Sequence, residues 1–308
     1  MQLRHIAMLV GLAVLWGFNF VPIRVGLEHI PAMTFVALRF LVTFFPAVFF
    51  LPRPKLSFKK IAAYGLLTFA GQFSLLFTAI HMGLAGGLAS LVLQVQAFFT
   101  IGFAAFFMRE KPRLFQVLGA LVAFGGIGIV ATHTGGDATP LSLLLAICAA
   151  ASWAGGNILT KSFGKIDIFA VMVWGNMVAF IPLTILALLI DGPTLVASSL
   201  MDIHWQAILS LAYIAYVSTF IGYTLWGYML GRYPAALVAP FTLLVPIFAM
   251  ISTHIFFGEN FALWKLMAGL LIISGLCLNQ FGNQLWLLVS GKRIKERRKN
   301  IIPPAPEV

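Results

Sequence analysis

Long apolar runs, each cut off by a short polar or turn-rich punctuation, repeat along the whole chain. The cuts fall at "EHIP", "RPK", "REKPR", "GKID", "GRYP" and "FGEN", among others. A helix needs about 20 mostly apolar residues to cross a bilayer. The pattern predicts ten such spans, at approximately 6–27, 31–52, 60–82, 84–108, 113–132, 140–163, 167–190, 206–231, 234–257 and 264–288. The connections are short, so consecutive spans should run antiparallel. The longest predicted pieces outside the membrane are Asp191–Trp205 and the tail after Val289. The first run follows a charged start, as in a signal peptide. It is longer than such an apolar region and no small-residue cleavage site follows a short one, so it is predicted to be a span.

Composition agrees: 61% of residues are hydrophobic and 9% charged, against about 25% charged in soluble domains. The net charge of +11 raises nucleic-acid binding only until its placement is read. With the N-terminus inside, 17 of the 20 Lys and Arg residues fall on the inner side, which is topology information. Arg24 and Lys265 lie towards the outside and Arg39 within a span. Both termini are then cytoplasmic. The basic tail "KRIKERRKNIIPPAPEV" reads as a stop-transfer cluster with a disordered Pro-rich end. Cys148 and Cys277 lie in apolar spans and are expected to be reduced.

The two halves resemble each other. "WGFNFVPIR" (Trp16–Arg24) faces "WAGGNILTK" (Trp153–Lys161), and "FFP" at Phe44 faces "FIP" at Phe180. Later, Tyr64 matches Tyr213, Leu88 matches Leu237 and Glu110 matches Glu259, all at an offset of 149. Gly119 and Gly125 are followed by Gly269 and Gly275 at the same spacing. Each repeat holds five spans, and an odd number inverts the second repeat in the membrane. The expected organisation is an all-α polytopic membrane protein with repeats at 1–135 and 136–288 and a tail at 289–308. Such repeats are a transporter signature, with the substrate site near mid-depth.

No acidic residue lies at the middle of a predicted span, so the carboxylate that often couples protons or sodium in a carrier is missing. Arg39 is the deepest charge. It could attract a substrate carboxylate, or snorkel and bond carbonyls. Trp16 with Asn19, and Trp153 with Asn157, each share a helix face at spacings of three and four. The pairs would line a central cavity or hold helices together. Tyr216, Tyr223 and Trp226 follow helical spacing in the eighth span, and Gln72 is an isolated amide in the third. Gln94 and Gln96 point about 200° apart on a helix. One is therefore expected to face the pathway, with a weak preference for Gln94, and the other a neighbouring helix. His81 and His254, near the outer span ends, are candidates for proton coupling or polar anchors. Pro234, Pro240 and Pro246 mark the ninth span as a candidate gate, and Gly83, Gly86 and Gly87 thin the start of the fourth.

"WGFNFVPIRVGL", "LRF" at Leu38, "GLASLVLQVQAFFTI", "SWAGGN", "GYTLWGYMLGRY" and "VAPFTLLVPI" resemble the EamA family of the drug/metabolite transporter superfamily over nearly the whole chain. The resemblance implies a ten-helix bacterial inner-membrane exporter of small amino-acid metabolites, cysteine- or O-acetylserine-like, working by alternating access. Its partners would be the small-molecule substrate and the bilayer, with no cofactor, metal or nucleic acid; monomer and homodimer stay open. Import or exchange of another metabolite or drug is the competing transport reading. An intramembrane enzyme is disfavoured, since H-E-x-x-H, G-x-S-x-G and paired acids are absent from the sequence.

Overall fold

A computed structural model describes residues 1–133, 136–164, 166–233 and 235–289. Among these residues, ten helices are long and apolar enough to cross a membrane. Spans 1 to 5 are Leu3–His29, Ala32–Phe49, Phe58–His81, Gly86–Met108 and Leu114–Thr132. Spans 6 to 10 are Pro140–Lys161, Ile168–Asp191, Trp205–Met229, Ala239–Phe257 and Leu263–Asn283. Nine begin within about three residues of the expected position. The ninth starts later, because Ala235–Val238 forms one separate turn and Ala239–Leu244 is 3-10 helix. The expected outer loop carries a short helix of its own, Pro193–Met201. The last helix continues to Val289, and the tail beyond it lies outside the described residues.

The repeats are exchanged rather than side by side. Span 2 packs on span 7 and span 5 on span 10, while span 1 packs chiefly against spans 8 and 9, and span 6 against spans 3 and 4. Two three-span bodies result, one of spans 1, 8 and 9 and one of spans 6, 3 and 4. Large apolar side chains such as Leu121, Leu189 and Ile255 are 66–75% exposed, as a lipid-facing surface requires. The starts of spans 6 and 7 are capped locally. The Asp167 carboxylate accepts the Phe169 and Ala170 N–H groups, and Thr139 and Ser142 form a reciprocal capping box for span 6.

The offset of 149 reappears in the backbone. The π-helical stretch Gly65–Gly71 in span 3 faces Tyr213–Ile221 in span 8. Span 4 breaks after Leu93 and resumes as Gln96–Met108, and span 9 resumes as Val245–Phe257. Those second halves end in left-handed residues, Arg109 (φ 56°) and Gly258 (φ 66°), each followed by a glutamate. The tightest helix contact refines the glycine register. A Cβ on Gly119 would stand 2.4 Å from the Gly275 carbonyl, and one on Gly275 2.4 Å from that of Gly119. A Cβ on Gly126 would stand 2.8 Å from the carbonyl of Ala268. Gly119–Gly275 and Gly126–Ala268 are equivalents at 149, so Gly126, not Gly125, is the structural counterpart of Gly275. A Cβ on Gly125 meets nothing within 4 Å.

Candidate functional site

Three helices lose their regular bonding at mid-depth. Span 1 breaks at Asn19, span 4 at Gln94 and Val95, and span 9 at Leu244. Irregular backbone at membrane depth is tolerated only where protein or a polar cavity receives it. Here the two glutamines do part of that. The Gln94 Nε2 donates to the Thr242 carbonyl of span 9 at 3.3 Å. The Gln96 Oε1 accepts from Asn157 Nδ2 of span 6 at 2.8 Å, and the same Nδ2 donates to Thr100 Oγ1 at 3.2 Å. The two amides, turned apart by helix geometry, thus each take a partner on a different body.

The tryptophan–asparagine pairs are not equivalent. The Trp16 indole N–H donates to the Ser218 carbonyl at 3.1 Å, and its ring stands 5.7 Å from those of Tyr223 and Trp226. Gly222 makes room, since a Cβ there would lie 2.5 Å from the indole nitrogen. Asn19 Oδ1 is buried without a partner, whereas Asn157 is spent on span 4. Trp153 is half-buried. Tyr216 packs on Phe220 at 5.9 Å rather than on Trp16. The intervening π turn takes more residues per revolution than an α-helix, so the spacing that would align Tyr216 with Tyr223 and Trp226 does not hold.

Arg39 neither snorkels nor meets carbonyls. It is 7% exposed, 3.7 Å from the centre of the Phe73 ring and 5.2 and 5.7 Å from those of Phe40 and Phe77. Its Nε and Nη1 are buried with no hydrogen-bond partner. Gln72, 4% exposed, lies one residue from Phe73. Sequence reasoning missed Asn176, 1% exposed with an unpartnered Oδ1, although it falls one residue from the repeat equivalent of Arg39. Thr68 Oγ1, likewise unpartnered, sits in the π stretch of span 3.

The end of the bundle that carries Glu259 is tied across the two bodies. Glu259, just past span 9, accepts the Gly86 and Gly87 N–H groups at 3.0 and 3.3 Å, capping span 4. It also pairs with Arg24 at 3.1 Å and accepts the Thr253 hydroxyl at 2.8 Å. Lys265, 3% exposed, meets Asp137 at 2.7 Å, and Asp191 accepts the N–H and hydroxyl of Thr34. Arg24 and Lys265 therefore both have acidic partners. At the opposite end Glu110 pairs with Lys161 at 3.2 Å, both well exposed. That is the repeat image of Arg24–Glu259, within one body.

His254 Nδ1 lies 2.7 Å from the Glu259 carbonyl. His81 borders a recess of about 660 Å³ that also presents Glu28, His29, Ser74, Thr78 and Asp191. Pro240 and Pro246 stand in the first turns of their segments, where a missing N–H costs nothing; they mark the breaks in span 9. Pro234 lies outside the described residues.

The EamA-like transporter family model matches residues 3–132 and 140–281, one copy per repeat. Relatives named "Probable amino-acid metabolite efflux pump" from Salmonella typhimurium and Escherichia coli are 40% and 39% identical, over 87% of this chain and 92% of theirs. The "Uncharacterized transporter YvbV" of Bacillus subtilis is 29% identical over 89% of this chain and 91% of its own. A solved crystal structure, 17% identical, superposes with a TM-score of 0.57 over 88% of this chain and 94% of its own, a likeness of fold. The chain belongs to the EamA-like transporter family, and is a multi-pass membrane transporter.

Proposed function

We propose that the protein exports small amino-acid metabolites of the cysteine or O-acetylserine kind across the bacterial inner membrane, by alternating access. The direction and substrate class rest on its resemblance to the efflux pumps of Salmonella typhimurium and Escherichia coli. The mechanism rests on one observation. Glu259 bridges the two bodies at the outer end, and its repeat image Glu110 stands at the other end, paired with Lys161. A bridging carboxylate at one end and its chemical equivalent at the other are what an inverted repeat needs to close its two sides in turn. In the complementary state Glu110 would take up the bridging role and Glu259 would let go.

In this reading the repeats divide at 135–136, both termini face the cytoplasm, and the substrate site lies at mid-depth between the bodies. Trp16, Tyr223 and Trp226 supply an apolar wall there. Asn19 and Gln72 offer amides, while Gln94, Gln96 and Asn157 hold the crossing of spans 4, 6 and 9. The breaks at Pro240 and Pro246 let span 9 bend. No covalent chemistry is required.

Purified protein in proteoliposomes tests this. Cysteine, O-acetylserine, threonine and aromatic amino acids would be offered with and without a pH gradient. Counterflow of at least one amino-acid derivative is expected; no flux of any would sink the substrate reading. Flux that needs the gradient, and survives loss of His81 but not of His254, would assign proton coupling to His254.

A further inference from the structure

We infer that Arg39 is the carboxylate-binding group of the transport site, so that the substrate must carry a free, ionised carboxylate; this names the chemical class within the export reading above and rests on it. The argument starts from an imbalance. Among the described residues Arg39 is in none of the ion pairs, and its buried Nε and Nη1 donate to nothing. An ionised group taken out of water needs a partner, and one left without it is strongly unfavourable. The Phe73 face at 3.7 Å offsets only part of that. Every other basic side chain buried to this degree would be expected to resemble Lys265, 3% exposed and held by Asp137 at 2.7 Å. Arg39 is built like a half-pair.

Arg39 also lies on a span beside the proposed wall: span 2 packs on the π stretch Tyr213–Ile221 of span 8. Tyr223, two residues beyond that stretch, packs against Trp16 of span 1 at 5.7 Å, and 41% of its surface is free. The Arg39 Nε and Nη1 are covered in this state, so a carboxylate reaches them when the bodies shift. A guanidinium donates parallel N–H bonds to the two oxygens of a carboxylate, and unbonded Nε and Nη1 leave both of its forks incomplete. A lone amine would meet an uncompensated positive charge instead. The site thus selects amino acids over cationic amines, and it needs no carboxylate of its own.

The test compares ligands that differ only at the carboxylate. Unlabelled O-acetylserine and its methyl ester compete against radiolabelled cysteine flux in proteoliposomes. The acid should compete at least about 30-fold better, the scale of a lost buried charge pair. Arg39→Met should abolish the discrimination, and Arg39→Lys should restore part of it. Ligand-free Arg39→Met protein should unfold at a higher temperature than wild type, because an unpaired buried charge is gone; a merely structural arginine would give a lower one. Equal competition by the ester, or full discrimination in Arg39→Met, overturns the inference. If no amino acid is transported, the export reading fails by itself. Thermal shift with propionate against propionamide then decides the arginine: stabilisation by propionate alone, lost in Arg39→Met, upholds it, and no difference refutes it.

Discussion

Replacing Glu259 by Gln should release the outer end. Its contacts divide by which body they reach. The pair with Arg24 and the bond from Thr253 stay within the body of spans 1, 8 and 9, so their loss affects both transport states alike and cancels from the ratio. The bonds from Gly86 and Gly87, at 3.0 and 3.3 Å, cross to span 4 and exist only while this end is closed. Hydrogen bonds to a charged group contribute about 1.5–3 kcal/mol each. Glutamine keeps one neutral acceptor and turns an amide N–H towards the other donor. The closed state should then lose about 2–3 kcal/mol, or roughly 30- to 150-fold in the open-to-closed ratio. Met250 reports this, because it packs where a Cβ on Gly87 would stand 3.0 Å from its Cγ. Met250→Cys would be placed in a Cys148→Ala, Cys277→Ala background and labelled with a membrane-impermeant maleimide from the Gly86 side. Adding Glu259→Gln should accelerate labelling by at least about tenfold, while Glu110→Gln should not. Rates within twofold of each other for the Glu259 and Gln versions would refute the bridge.

Three further outcomes follow from packing and burial. Gly126→Ala should lower the detergent unfolding temperature, because its Cβ meets the Ala268 carbonyl at 2.8 Å, while Gly125→Ala, open to 4 Å, should leave it unchanged. Asp137→Asn strands a lysine that is 3% exposed and should cost about 2–3 kcal/mol, discounted because the aspartate is itself partly exposed; Glu110→Gln, breaking an exposed pair, should cost under about 1 kcal/mol in the same denaturation assay. Asn157→Ala removes the bonds to Gln96 and Thr100 and should cost about 1 kcal/mol of stability; if flux also vanishes with the fold intact, Asn157 touches substrate as well.

The hydrophobic pattern carried most of the fold because a bilayer gives each element one length and one periodicity. Span ends followed from charges, and the inversion followed from five being odd. What stayed hidden depends on the path of the backbone inside a span. The π turns at Gly65–Gly71 and Tyr213–Ile221 leave no compositional mark, and they undo any spacing argument that runs across them, as for Tyr216. The partners of Gln94 and Gln96 were equally unreadable. Helix geometry fixes that they diverge, but not what stands opposite. Asn176 was overlooked because a single asparagine in "WGNMV" has no companion at helical spacing; only the repeat register draws attention to it.

The repeat register also separates the contacts that must persist through a cycle from those that must change. Exchanging the repeats sends Gly119–Gly275 onto Ala268–Gly126, and both contacts are present. A contact whose image is already made gains nothing from the exchange, so spans 5 and 10 can remain packed throughout. The exchange sends Arg24–Glu259 onto Lys161–Glu110, again both present, so each ion pair travels with its own body. The bonds from Gly86 and Gly87 to Glu259 instead join the two bodies, and Glu110 is the image of their acceptor. A bond between the bodies, unlike one within a body, is what a conformational exchange can make and break. In the proposed cycle the ends of spans 4 and 9 would move, pivoting where Gln94 meets Thr242, and the glutamates that look like loop residues in sequence would set which side is shut.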